Sequence, residues 1–180
     1  MIDPVAVFRQ DNGKLVHICG LHLAPADDNS EFGHSPVPDD YSDETHDWDA
    51  EARQFKVSID RLRIRQWEAV KARKTLAEDS GVTTDQGRVQ TDPDSRGKIT
   101  GMVVMAMLAQ STGAPFEQNF LMENDRPVLV DAGGMIGIGL AAGLHVVNCH
   151  AVAQAKRAQI WAATDAAAIE AVGVDDGWPE

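Results

Sequence analysis

Two stretches of this chain are apolar on every side of the helices they predict. Val103, Val104, Met105, Met107 and Leu108 run right round one helix, and Met135, Ile136, Ile138, Leu140, Leu144, Val146 and Val147 run round the start of another. A helix that is hydrophobic all round has to be covered all round. A chain of 180 residues has limited material with which to surround two such helices. Burial between subunits is therefore the expectation, and a tight α+β monomer the alternative. Val104, Met105, Met107, Leu108, Ile138, Gly139 and Leu140 are the interface candidates, and a homo-oligomer is the expected state.

Turn signals divide the rest of the chain. Residues 5–10 and 14–19 flank Asp11-Asn12-Gly13, a hairpin signal because Asn and Gly tolerate the positive φ of a primed turn. A helix is predicted over about 58–78, with Ile59, Leu62, Trp67 and Val70 near a 3.6-residue period and Gly81 beyond its end. A short hairpin follows around Asp85-Gln86-Gly87. The next helix runs from 93 to about 110, where Asp92 stands at the N-cap and Pro93 at the first helical position. Residues 116–122 and 127–130 form a second strand pair. A long helix over about 132–162 is capped by Asp131, and a short one spans about 165–172. The expected fold class is α+β, in three parts. These are an N-terminal β-hairpin over 1–24, an extended acidic, Pro-containing arm over 25–54, and a helix–hairpin–helix–hairpin–helix–helix domain over 55–180.

Charge is placed unevenly. The net charge is −12. Asp27, Asp28, Glu31, Asp39, Asp40, Asp43, Glu44, Asp47, Asp49 and Glu51 follow one another with no Lys or Arg between them, which disfavours nucleic-acid binding because such a run repels phosphates. Basic residues then gather on the next helix. Two readings stand side by side. Either both are solvated surfaces, or the arm, through Asp39, Asp40, Asp43, Glu44, Asp47 and Asp49, docks on Arg61, Arg65, Lys71 and Arg73 of its own or a neighbouring subunit. The N-terminus has neither a basic region nor a continuous apolar run of the kind a signal peptide carries. The apolar stretch 132–148, interrupted by His145, is shorter than the roughly 20 residues a bilayer span needs. A soluble protein without membrane insertion is expected.

Chemical motifs are few. Val128 to Ala142 reads as strand, glycine-rich turn and helix, and Gly137-x-Gly139-x-x-Ala142 matches a dinucleotide fingerprint. The glycines nevertheless fall after the Asp131 cap, and Lys156-Arg157 stand where the acidic residue of a second strand belongs. Close helix packing is the preferred reading of residues 133–143. His145 and Cys149 lie four apart on one helical face, and His17, Cys19 and His22 cluster near the N-terminus, yet neither group supplies four zinc ligands. The acidic arm lacks the spacing of a calcium loop. No Gly-x-Ser-x-Gly elbow occurs. No catalytic residue, cofactor or metal site is assigned.

Four stretches carry a resemblance. They are Trp67-Glu68-Ala69-Val70-Lys71-Ala72-Arg73, Gly81-Val82 with Gly87-Arg88-Val89, the run Thr91-Asp92-Pro93-Asp94-Ser95-Arg96-Gly97-Lys98-Ile99-Thr100-Gly101, and Val128-Leu129-Val130-Asp131 leading into the apolar helix and on to residues 156–164. Over about residues 65–165 the chain resembles an uncharacterised domain carried, often C-terminally, by tail, tail-fibre and tail-fibre-assembly-type proteins of tailed bacteriophages. The resemblance implies a non-enzymatic virion structural component at the tail tip, baseplate or fibre attachment, made in the host bacterial cytoplasm. Its partners would be other phage tail proteins, and the homo-oligomer would be a trimer if it follows fibre symmetry. An assembly chaperone absent from the mature particle is the alternative of the same origin. A small nucleotide-binding protein or enzyme using the Gly133–Gly143 segment is the alternative of another class.

Overall fold

The computed structural model describes residues 4–10, 13–20 and 32–179. In chain order the elements are β1 (Pro4–Arg9), β2 (Leu15–Gly20), β3 (Phe32–Pro36), β4 (His46–Asp49), β5 (Gln54–Val57), α1 (Ile59–Glu78), β6 (Val82–Thr84) and β7 (Gly87–Val89). They continue with α2 (Pro93–Thr112), β8 (Glu117–Leu121), β9 (Pro127–Asp131), α3 (Ala132–Ala162) and α4 (Ala166–Glu170). The fold is mixed α and β, and among the described residues every strand pairing is antiparallel. Two compact units emerge, Met1–Gln66 with Ala163–Ala171, and Trp67–Ala162 with Val172–Glu180. This division differs from the expected domain over 55–180, because α1 gives its first residues to one unit and the rest to the other.

In the first unit the expected hairpin forms, with Val5 opposite Cys19 and Val7 opposite His17. The Asp11 and Asn12 of its turn lie outside the described residues, as do Asp27, Asp28, Glu31 and His22 of the sequence reading. The segment expected as an extended arm departs from that reading. β3 pairs with β1, which becomes the central strand in the order β2-β1-β3, and β4 with β5 forms a further hairpin. The physical reason is apolar. β1 buries Val5, Ala6, Val7 and Phe8, and a fully buried strand needs a neighbour on each edge for its backbone groups. Beside it the rings of Phe8, Trp48, Phe55 and Tyr41 stack at centroid distances of 5.6, 5.1 and 4.5 Å along the series. The Trp48 indole donates to the Gly13 carbonyl at 2.7 Å, and Gly13 is required there, with φ +67° and no room for a side chain beside Ala50.

The second unit is built on the pairing of α2 with α3. Ile99 and Ala106 of α2 bury against Met135, Ile138 and Ala142 of α3, and the two small hairpins plug the ends with Val89, Phe120, Met122 and Val130. Thr91 ties α1 to this core. Its hydroxyl donates to the Glu78 carbonyl at 2.6 Å and accepts from the Gly81 amide at 2.9 Å. Both helix caps form as the sequence predicts. The Asp92 carboxylate accepts from the Asp94 and Ser95 amides at 3.1 Å each and from the Ser95 hydroxyl. Asp131 accepts from the Gly134 amide at 2.7 Å. At its other end α2 stops at Gly113, which takes the left-handed conformation at φ +69°.

The caps generate a prediction. Asp131→Ala should lower unfolding stability by about 0.5–2 kcal/mol, measured by chemical denaturation. At Asp92 the Ser95 hydroxyl and then the Ser95 amide hold the carboxyl below the usual carboxylate range. A pKa lower in the folded than in the unfolded chain gives stability that is complete above the unfolded value of about 4 and is lost as pH falls through the folded value. Asp92→Ala should therefore destabilise at neutral pH, and the gap to the parent chain should close in acid. A gap that persists unchanged well below pH 3 would sink the cap assignment.

Candidate functional site

α3 resolves its all-round hydrophobicity into stripes. Met135, Ile138, Ala142, His145, Cys149, Ala153, Lys156 and Ile160 are buried at steps of three or four residues, the spacing of one helical face. Leu140, Leu144 and Val147 lie on another stripe, and on α2 Val104, Met105, Met107 and Leu108 point away from the core. These seven are between 51% and 63% exposed. Of the interface candidates, Val104, Met105, Met107, Leu108 and Leu140 are thus at the surface. Ile138 is not, because it is fully buried in the core of its own chain. Gly139 is not free either, since a methyl group added there would strike the Val103 side chain. Its missing side chain serves the approach of α2 to α3 within the unit. Leu144 and Val147 belong to the exposed set although only the fuller apolar list includes them.

A groove follows the α2–α3 seam, lined by Ile99, Val103, Gly139, Ala142 and Val146 with Arg96 at its rim, and has a volume of about 310 Å³. No charged residue occurs on α2 after Lys98 or on α3 before Lys156. By length and composition α3 could cross a membrane, with a mean hydropathy of 1.5 over its most apolar 18 residues. This departs from the sequence reading of a stretch that is too short, because the helix continues well past Asn148. Of those 18 residues, 28% are buried inside the fold, along the one stripe that faces the core.

The glycine-rich segment is not a dinucleotide turn. Gly133 to Gly143 lie inside α3, and β9 before it pairs antiparallel with β8, whereas the fingerprint joins parallel strands. The His145–Cys149 pair is structural. His145 Nε2 lies 2.8 Å from the Ala77 carbonyl. A carbonyl only accepts, so Nε2 carries the hydrogen and cannot serve as base to the Cys149 sulfur 3.9 Å away. Burial, and then the nearby Glu78 carboxylate, push the thiol pKa up, away from the thiolate a nucleophile needs. Among the described residues no three His, Cys, Asp or Glu side chains converge on a metal position.

The acid–base docking is realised at one basic residue of the four. Arg61 pairs with the Asp47 carboxylate at 2.6 Å and also reaches the Asp43 carbonyl. Asp49 pairs with Lys56 at 2.9 Å, and Asp40 lies 3.9 Å from His46. Asp39 and Glu44 are exposed. The other three basic residues take different partners: Arg65 pairs with Glu170 at 3.1 Å, Lys71 with Glu68 at 2.7 Å and Arg73 with Asp175 at 3.4 Å. Two groupings were not drawn from the sequence, although Arg73, Lys156 and Arg157 were each named there for other reasons. Arg157 lies over the rings of Trp67 and Trp161, and Lys156 and Arg73 grip the segment that follows α4. Their signal was an interrupted pattern, a Lys on the apolar stripe of α3 with an Asp-Asp-Gly-Trp run downstream.

Two kinds of substitution should separate cleanly. Gly139→Leu must push α2 from α3 and should cost about 1–3 kcal/mol, as overpacking does. Met105→Ser and Leu140→Ser, on the exposed stripes, should each stay within about 0.5 kcal/mol of the parent. Thermal unfolding of the three variants, at a dilution where the chain is monomeric, checks the contrast, and a destabilised Met105→Ser monomer would mean that this face is core.

Comparison with curated proteins and with solved structures finds no match. Residues 61–173 match the model of a family described as a domain of unknown function, DUF4376. That span takes in α1 from Arg61, both small hairpins, α2, α3 and α4, with the paired helices and their exposed stripes at its centre, and the chain belongs to the DUF4376 family.

Proposed function

We propose that this chain is a structural component of a tailed-phage virion, at the tail tip, baseplate or fibre attachment, and that it acts by protein–protein packing. The observation that carries the packing reading is the uncharged, exposed apolar surface of α2 and α3. Large exposed apolar patches on a folded domain mark interaction surfaces. Fully burying one such side chain contributes about 1.5–3 kcal/mol, so covering the exposed part of all seven contributes roughly 6–13 kcal/mol. Association costs roughly 4–15 kcal/mol. The two are of the same order, which favours association where copies are concentrated, as in a particle. The placement in a phage tail rests on the resemblance of residues 67–101 and 128–164. A homo-oligomer, with a trimer matching fibre symmetry, goes with this reading.

The second reading, an assembly chaperone that leaves before the particle is complete, draws on the same surface, since an apolar face covered only in part suits a transient client. Mass spectrometry of purified particles separates the two. The structural reading expects the chain at fixed stoichiometry, and expression without incorporation would replace it with the chaperone. In the isolated protein, light scattering should show an oligomer that Met105→Glu combined with Leu140→Glu dissociates. A parent chain that stays monomeric at high concentration would remove the apolar surface as the packing face.

A further inference from the structure

The segment after α4 is held on the second unit by contacts of one chemical kind. The Lys156 ammonium donates to the Gly173 carbonyl at 2.6 Å and to the Asp176 carboxylate at 2.9 Å. Arg73 pairs with Asp175 at 3.4 Å. Both cations lie against the Trp178 ring, 5.8 and 5.9 Å from its centroid. The Trp178 indole donates back to the Val174 carbonyl at 2.7 Å, and Gly177 makes the turn at φ +76°. The hydrogen bond from Lys156 holds the Asp176 carboxyl below the usual range.

Burial is lopsided across this contact. The side chains of Asp175 and Asp176 are 91% and 80% exposed, whereas that of Lys156 is 10% exposed. Among the described residues both acceptors of the Lys156 ammonium sit on the segment. The segment's own carboxylates thus give up little on leaving, while its departure takes both hydrogen-bond acceptors from the Lys156 ammonium. The segment's seat on α1 and α3 is the cleft marked by Arg73 and Lys156, and beside it a volume of about 550 Å³ stays open between Arg73, Ala77, Ser80 and Arg88 on one side and the segment's Asp175, Gly177, Trp178 and Pro179 on the other.

We propose that this cleft is a binding site for an acidic–aromatic segment, occupied by the chain's own residues 173–179 in isolation and by the same segment of a second copy in an assembly. A second copy offers an identical segment, so exchange remakes every contact and gives up only the tether. A short tether is worth an effective concentration of about millimolar order, which neighbouring copies in an ordered array match. The inference rests on the packing reading for that concentration, while the site itself can be tested in the isolated chain.

The probe is a fluorescent peptide of residues 173–179, titrated onto the full chain carrying D176N and W178A, which vacates the cleft. Anisotropy should show saturable binding, weakened at least tenfold by adding K156Q and severalfold between 0.1 and 1 M salt. Absence of saturable binding up to millimolar peptide, or binding indifferent to K156Q, overturns the site. Should the D176N/W178A chain fail to fold, the peptide is titrated onto the parent chain, where weaker binding that K156Q abolishes is the supporting outcome. For exchange, a K156Q chain and a D176N/W178A chain with complementary fluorophores are mixed. Energy transfer that unlabelled peptide competes away supports the second copy as donor. Peptide binding without such transfer overturns that part alone, and neither result depends on whether the chain is found in particles.

Discussion

The second unit depends on an absence of atoms at one position. α2 and α3 are both too apolar to face water on all sides, and they solve half of that problem by lying against each other. The approach is close because Gly139 offers backbone where Val103 needs space. Dispersion contacts fall steeply with separation, so a bulkier residue there would loosen Ile99, Ala106, Met135 and Ala142 together. The two hairpins follow from this seam. β6–β7 and β8–β9 are too small to stand alone, and each holds its shape by giving Val89, Phe120, Met122 or Val130 to the core the helices open. The other half of the problem stays unsolved within the chain, and that remainder is the surface on which the proposed function rests.

Much of this was legible in the residues. Pro93 after Asp92, and Asp131 before a long apolar run, place both helix starts because capping chemistry is local. Hairpins centred on Asp85-Gln86-Gly87 and Glu123-Asn124-Asp125-Arg126 are likewise local. What was not legible depends on partners distant in sequence. Ile138 and Leu140 look alike as letters, and only the direction of α2 puts one at 0% and the other at 63% exposure. β3 carries Phe32-Gly33-His34-Ser35-Pro36, a run with no β-branched residue, and it becomes a strand because β1 has an edge to satisfy. Lys156 is a charge in an apolar stripe, and the Asp176 that answers it lies 20 residues downstream.

The two units handle polarity in opposite ways. In the first, aromatic rings share the interior with their polar edges turned to partners, as Trp48 does with Gly13, and surface carboxylates such as Asp47 and Asp49 find nearby cations. Exposed pairs of this kind contribute little each, so the aromatic stack holds that unit and the charges orient its surface. In the second, few charges are available along the paired helices, and two of the polar groups that enter the core are spent on backbone atoms. Thr91 answers Glu78 and Gly81, and His145 answers Ala77.

The length of α3 gives it a mechanical character. Its 31 residues make a rod of roughly 46 Å at about 1.5 Å per residue, half again as long as α2. The first half is clasped by methyl and methylene groups at Met135, Ile138 and Ala142. The second keeps Cys149, Ala153 and Ile160 buried and adds an ammonium and a tryptophan ring around Lys156. A load applied along such a rod meets apolar contacts at both ends, which yield only if many part at once. The far end carries in addition an ionic catch whose carboxylates stand in water. α3 is in this sense a strut seated along its length, with a releasable catch at one end.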